Sequence, residues 1–406
     1  MTAVAHVLLA WLLCAVPALA QTVGWRGDGT GRFPGADPPT QWDIDEGKNI
    51  LWKAEVGPGQ SSPVIVGGRV FVTAGEALLV CVDLASGKVL WRQENGYGAI
   101  APGVKRPEKP PPTVAGCGYA TPTPASDGHW VYACYGTGIV ACYDLEGKRR
   151  WIRFVDLPQL TQYGRSVSPV LAGGKLLLGV SGLSALDPQS GEVLWHAAEA
   201  KPTYGTPAIA RIGSVDVALT PNGDCVRLAD GKVLARKLSS NTYTSPVVYA
   251  GVVYYAGPPA RAFKLPEKAG ETIQPQKLWE NDEVEGESFA SPLWHEGILY
   301  CAGNEGTLYA LDAASGKLLF KKALEIRSAN PKPGAEPANI YPSITLAGKH
   351  FLLGNDVGET LVLVPGRDYK EVARNYLDKG CGASPAVGTD KLLFRGGVHL
   401  YCIGRR

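Results

Sequence analysis

Long apolar runs are scarce in this chain of 406 residues. Beyond the first 20 residues no stretch of about 18 apolar residues occurs, which excludes a membrane-spanning helix in the body of the chain. Charge of one sign is missing as well. The 40 Lys and Arg stand against 38 Asp and Glu, for a formal net charge of +2, so nothing steers towards polyanions and a nucleic-acid surface is excluded. No two cysteines are adjacent and none are spaced Cys-x-x-Cys, which removes zinc-ribbon and haem-attachment chemistry. His129, His295, His350 and His399 have no partner at ligand spacing, so no metal is expected. There is one Met, and no segment keeps a helical period beyond about two turns.

What is abundant is turn chemistry: 50 Gly and 31 Pro. Between them lie short period-two runs such as Val70-Phe71-Val72 and Leu299-Tyr300-Cys301, separated by Gly67-Gly68, Gly173-Gly174 and Gly136-Thr137-Gly138. Those are strand and hairpin signals. The first 20 residues differ. The apolar run Val7 to Leu13, the break at Pro17 and the small Ala18 and Ala20 read as a signal peptide cleaved after Ala20, giving a periplasmic or secreted chain. Leu13 before Cys14 is not the small residue a lipidation site wants. The organisation expected is therefore a signal peptide over 1–20, an extension over 21–45 and one domain over 46–404.

One phrase recurs. Cys81-Val-Asp83 leads through Ser86-Gly87-Lys88 to Trp91, Ala185-Leu-Asp187 through Ser190-Gly191 to Trp195, and Ala310-Leu-Asp312 through Ser315-Gly316 to Phe320. Looser copies run from Cys142-Tyr-Asp144 and Gly147 to Trp151, and from Cys225 and Gly231 to Ala235. Others run from Ala262 to Trp279 and from Val362 to Ala373. The ends hold half a copy each: Gly47-Lys48 to Trp52 is a tail without a head, and Leu400-Tyr401-Cys402 is a head without a tail. A second marker, a hydroxyl residue followed by Pro before a short apolar run, falls at Pro63, Pro124, Pro169, Pro207, Pro246, Pro292, Pro342 and Pro385. Eight units of about 40 to 50 residues with four strands each predict an all-β, eight-bladed propeller of antiparallel blades. The N-terminal strand is expected to pair into the C-terminal blade, which leaves no open sheet edge at the seam. Within the phrase, Asp83, Asp144, Asp187 and Asp312 can bond the turn they open. Gly87, Gly147, Gly191, Gly231 and Gly316 can close it in the left-handed region. Trp52, Trp91, Trp151, Trp195 and Trp279 carry large rings to bury.

The phrase Ala/Cys-x-Asp-x-x-Ser-Gly-Lys-x-x-Trp resembles the tryptophan-docking repeat of pyrroloquinoline quinone (PQQ) propellers. In that family the Trp of one blade stacks on the small first residue and the Gly turn of its neighbour. The resemblance extends to secreted bacterial propellers like that of the outer-membrane protein assembly machinery (BamB-like), which share the repeat and need no cofactor. It implies a binding or scaffold module acting on a protein, glycan or small ligand, expected to be a monomer with a protein or cell-envelope partner and without cofactor. The other reading it carries is a quinoprotein dehydrogenase using PQQ with calcium, its atypical site built from Arg165, Glu285 and Glu287. Such enzymes use an adjacent Cys pair and a Trp at the cofactor, and neither is matched here.

Function is then sought in what does not repeat. The stretches before the marker prolines gather at one mouth of the channel, and they hold Tyr163, Arg165, Ser166, Tyr204, Tyr243, Glu285 and Glu287, with Gln60, Tyr119 and Tyr341 beside them. Arg165 is the candidate anchor for an anionic ligand. The bland alternative is that these side chains plug the channel and bond to one another. Most cysteines sit at the small first position of the repeat and read as core. Cys117 and Cys381, each between glycines, could pair. Two inserts, Arg92 to Thr121 and Lys321 to Ile340, lie in loops that could flank the same mouth.

Overall fold

The computed structural model describes residues 22–113, 118–157, 165–325 and 338–406. Eight separate sheets surround an axis. The first blade shows the pattern: Val64–Val66, Arg69–Ala74, Leu78–Asp83 and Val89–Glu94 run antiparallel from the axis outwards. The last blade is composite. Ala386–Val387, Lys391–Gly396 and His399–Gly404 supply its inner three strands, and Ile50–Glu55 pairs antiparallel outside them. The N-terminal strand thus closes the ring.

Short hairpins set the alternation of buried residues. In Leu78–Asp83 every interior position is buried, whereas Val89–Glu94 alternates between partly buried and exposed. Middle strands are covered on both faces by neighbouring blades, and outer strands face water. Between blades the seam is built around tryptophan. The indole nitrogens of Trp52, Trp91, Trp151, Trp195 and Trp279 each donate to a main-chain carbonyl of the next blade at 2.9–3.1 Å. Each ring lies flat on a glycine of that blade. A Cβ at Gly87, Gly147, Gly191, Gly231 or Gly316 would stand 2.5–2.8 Å from ring atoms, and each of these residues has positive φ. In the turns, the Asp83 carboxylate accepts from the Ser86 N–H (2.8 Å) and the Asp312 carboxylate from that of Ser315 (2.9 Å). Asp187 does the same for Gln189 and Ser190, and Asp144 for Lys148. The small first residue is the tryptophan's cross-strand neighbour within one blade, as Cys81 is to Trp91 and Cys402 to Trp52. It is small because the indole shares its face of the sheet.

Three blades lack the outer tryptophan, and other segments fill the gap. Against Ala235 the loop after the third strand of the fifth blade brings Leu265, Ala269 and Ile273, and the Ile273 N–H donates to the Leu234 carbonyl. Phe320 meets Tyr369 edge-on at 6.4 Å. Beside Ala373 the extension inserts Trp42, 4% exposed and 5.3 Å from Phe394.

The marker prolines hold a second device. Ser62, Thr123, Ser168, Thr206, Ser245, Ser291, Ser343 and Ser384 stand at the entry to the eight innermost strands. The main-chain N–H of each donates to the hydroxyl of the next, and Ser384 donates to Ser62, all at 2.8–3.1 Å. Eight bonds close a belt around the channel. The belt also corrects one marker. In the seventh blade the hydroxyl in register is Ser343, and Ile344 takes the place of proline, so Pro342 stands one residue early. The N–H acceptor is required at that position, and the proline is not.

Candidate functional site

In a four-stranded blade the loops from outer to next inner strand and the turns between second and third strands emerge on one face. The other two turns emerge on the opposite face. The first is the loop mouth and the second the turn mouth. The belt lies just inside the loop mouth, and the residue two places before each hydroxyl forms its rim: Gln60, Thr121, Ser166, Tyr204, Tyr243, Phe289, Tyr341 and Gly382.

That rim is lopsided. On blades four to seven it is entirely aromatic. Tyr204 and Tyr243 stack at 5.0 Å, Tyr243 meets Phe289 edge-on at 4.8 Å, and Phe289 stacks on Tyr341 at 5.0 Å. Offset and edge-to-face pairs of this kind hold one another in fixed orientation. Tyr341 is 40% exposed, and the other three are half-buried. On the remaining blades the rim is polar and short. The Ser166 hydroxyl donates to the Tyr204 carbonyl at 2.7 Å, and the Gln60 side-chain oxygen accepts the Gly382 N–H at 2.7 Å.

The other residues singled out from the sequence are placed differently. Tyr163 lies outside the described residues. Arg165 is 5% exposed and its guanidinium donates to the Val180 carbonyl inside the wall. Burial lowers its pKa to about 10, with Cys134 and Asp156 acting in the opposite sense. Glu285 and Glu287 are exposed, and the Glu285 carboxylate takes the ammonium of Lys321, on the outer strand of the sixth blade, at 2.7 Å. Tyr119 donates its hydroxyl to the Pro111 carbonyl at 2.6 Å, and Tyr97 pins the same insert to the second blade by donating to the Thr137 carbonyl at 2.8 Å. Cys381 is a free thiol donating to the Arg395 carbonyl, and Cys117 lies outside the described residues. Two features of the mouth were not singled out. Phe289 completes the arc, and its signal was its place two before Ser291. Arg395, 3% exposed, ties the eighth blade to the first by donating to the Ser61 hydroxyl and the Thr73 and Gly57 carbonyls.

The channel below the belt is crossed by the chain's own extension. Val23 exchanges both main-chain hydrogen bonds with Ser126 of the second blade. Arg32–Phe33 then pairs parallel with Leu346–Ala347, the innermost strand of the seventh. Between them Arg26, 3% exposed, donates to the Pro292 and Ile344 carbonyls, and burial lowers its pKa to about 9 against the small opposing pull of Asp28. Gly31 lies flat on that guanidinium, where a Cβ would stand 2.4 Å from a nitrogen. A cavity of about 390 Å³ remains beside the extension, against blades three to five. Among the described residues no group of three His, Cys, Asp or Glu could hold a metal ion, and no helix is long and apolar enough to cross a membrane.

With this geometry in view, the sequence profile described as outer membrane protein assembly factor BamB matches residues 42–276 and 274–342. The chain belongs to that family. The outer membrane protein assembly factor BamB of Yersinia pestis is 22% identical over 327 residues, covering 76% of each chain. That of Shewanella oneidensis is 22% identical over 347 residues, covering 72% of this chain and 85% of the other. Among solved structures, BamB from Moraxella catarrhalis superposes with a TM-score of 0.62 at 12% identity, covering 88% of this chain and 97% of that one. Quinohemoprotein alcohol dehydrogenase from Comamonas testosteroni gives 0.60 at 12% identity, covering 95% and 81%. Likeness at that level shows the shared propeller and nothing of its chemistry.

Proposed function

We infer that this chain is a non-catalytic binding propeller of the bacterial cell envelope, and that it presents its loop mouth to a protein partner. The observation that carries the reading is the aromatic arc from Tyr204 to Tyr341, confined to four adjacent rim positions of an otherwise repeating ring. Aromatic clusters with polar neighbours are the usual anchors of protein interfaces. The BamB relatives, named for outer-membrane protein assembly, support an envelope partner.

The residues present do not fit PQQ with calcium. Space on the axis is taken by residues 22–33, and the cavity left beside them is lined by only two carboxylates, Asp28 and Asp216. Asp216 already holds Arg211 through two hydrogen bonds. A hard cation wants six to eight oxygen ligands. The three buried arginines of the mouth and channel, Arg26, Arg165 and Arg395, donate to carbonyls and a hydroxyl of the fold.

The test is site-specific photo-crosslinking from position 341 in intact cells, with the exposed position 88, in the outer turn of the first blade on the turn mouth, as the control. A defined envelope protein joined from 341, and lost on Tyr243→Ala, is the expected result. Dye reduction with saturable PQQ and Ca²⁺ dependence on any alcohol or sugar would overturn the reading.

A further inference from the structure

The cavity beside the extension is bounded by three strand edges that the chain leaves open. In an antiparallel pair the residues exchange hydrogen bonds at alternate positions. The innermost strands of blades three, four and five close their two-residue turns at Ala172–Lys175, Ile212–Val215 and Tyr249–Val252. Those pairs spend their main-chain bonds within the blade. Leu171, Ile209, Arg211 and Val248 therefore turn their N–H and C=O groups to the axis, and all four line the cavity.

Two other blades show what such an edge does. By the same parity Ser126 and Leu346 face the axis, and both are taken by the extension: Ser126 by Val23, and Leu346 by the Gly31 carbonyl at 2.8 Å. The Gly348 N–H continues the ladder to Phe33 at 2.9 Å. One innermost edge is paired antiparallel and another parallel. The channel thus already captures extended chain by its backbone in both directions. Of the open edges the fourth blade's is the longest: Ala208–Ile212 has five residues, where the innermost strands of blades three and five have three.

We propose that the cavity takes an extended, uncharged peptide segment of a partner protein, which adds as a strand to the inner edge of the fourth blade at Ile209 and Arg211. Strand addition takes its affinity from main-chain bonds and its selectivity from the walls beside alternate side chains. Here the walls are apolar, formed by Val170, Leu171, Val247 and Val248 on either side and Trp25 across. Of the charges at the lining, Arg211 and Asp216 are bound to each other by two hydrogen bonds at 2.7 and 3.1 Å, and the exposed Asp28 carboxylate accepts from the Thr30 N–H and hydroxyl of its own turn. A volume of about 390 Å³ lies in the range of specific small sites, roughly 300–1,000 Å³. The segment enters from the turn mouth, where Arg211 is exposed. This rests on the reading of the chain as a binding propeller, but it puts the bound segment in the channel and leaves the aromatic arc to the body of the partner.

The test uses the full mature chain and a fluorescein-labelled peptide of alternating Thr and Val flanked by Lys, followed by fluorescence anisotropy and amide hydrogen exchange. Saturable binding is expected, with exchange slowed at Leu171, Ile209, Arg211 and Val248. Ile209→Pro removes an N–H that the second strand does not use, so the blade keeps its ladder while binding weakens about tenfold. Ala208→Trp fills the cavity from the side and should abolish binding with unchanged circular dichroism. Equal binding by the wild type and both variants, or none at about 1 mM peptide, overturns the proposal. Tyr243→Ala separates the two ideas. It should leave peptide binding intact, and if it still loses the crosslinked partner when the peptide has failed to bind, the binding-module reading stands and the channel strand does not.

Discussion

Replacing Ser245 by Ala removes one link of the hydroxyl belt and nothing else of size. The Ser245 hydroxyl accepts the Thr206 N–H at 2.8 Å, and Ser245 is 2% exposed. Alanine leaves that N–H buried without an acceptor, and an orphaned donor of this kind costs about 1–3 kcal/mol. The Ser245 N–H keeps its own acceptor, Ser291, at 2.9 Å. Threonine offers a contrast, because the belt already uses it at Thr123 and Thr206. Ser245→Thr should recover most of the loss. With an m-value of at least about 3 kcal/mol per M urea, the alanine variant's midpoint should fall by up to about 1 M at unchanged m. Circular dichroism in urea reads this directly. Ser62 takes the Ser384 N–H in the same way at 3.0 Å, at the seam of the eighth and first blades. The double variant Ser62→Ala with Ser245→Ala should lose the sum of the two within about 0.5 kcal/mol. An alanine midpoint equal to the wild type, or a threonine variant as weak as alanine, would refute the assignment of the belt as a structural bond network.

The seam tryptophans predict coupling. Trp151→Ala should cost about 3–5 kcal/mol, and Gly191→Ala should destabilise on its own, because φ is +73° and the new Cβ would stand 2.7 Å from the Trp151 ring. In a double-mutant cycle by urea denaturation Gly191→Ala should cost less once the ring is gone; strict additivity would mean that the ring does not rest on the glycine. The pH dependence has a definite sign. Burial holds the pKa values of His295 and His350 below 6.5. Both imidazoles are then taken up in the folded state as the neutral form, so their contribution is fully present above about pH 6.5 and is lost progressively as pH falls from there through their lower folded-state values. Thermal unfolding between pH 8 and 5 should show the decline, and His295→Asn should flatten it.

The blades were legible because each is local in sequence. Head, turn and tail of a repeat lie within about 15 residues, so Asp, Gly and Trp can be read as one unit, as in Asp187, Gly191 and Trp195. The ring closure was legible for a simpler reason: Trp52 and Cys402 are complementary halves of the same phrase. The belt was half legible. A hydroxyl before Pro marked the start of each inner strand, but its partner is the same residue of the next blade, 38 to 61 positions away in seven bonds and 322 in the one that closes the ring, and no single-repeat pattern carries such a bond. Reading the proline rather than the hydroxyl as the marker is what put the seventh blade one residue out of register. Arg165 was misleading in a similar way. An arginine in a loop reads as surface, whereas this one finds the Val180 carbonyl at the end of a neighbouring strand and goes inside.

The extension was the least legible part, and the reason is physical. Gly24, Gly27, Gly29 and Gly31 leave too few side chains for either a helical or a strand period, and its regular structure amounts to two residues, Arg32 and Phe33. What holds it is an edge supplied by other blades. An inner strand must turn alternate backbone groups to the axis, and each of those groups needs a partner from the chain or from water. The extension's backbone pairs with two of the eight inner strands, and its Arg26 reaches the Pro292 carbonyl at the entry to a third. Its glycines let the backbone cross at the level of the inner strands, and Arg26 and Trp42 fix it at blades six to eight. The symmetry is broken at the channel by the extension, which is held at blades two and six to eight, and at the rim by the aromatic rings of blades four to seven. Blades three to five keep their inner edges open, and the arc begins over blade four. A partner that reached both would do so at blades four and five, where an open inner edge and an aromatic rim position coincide.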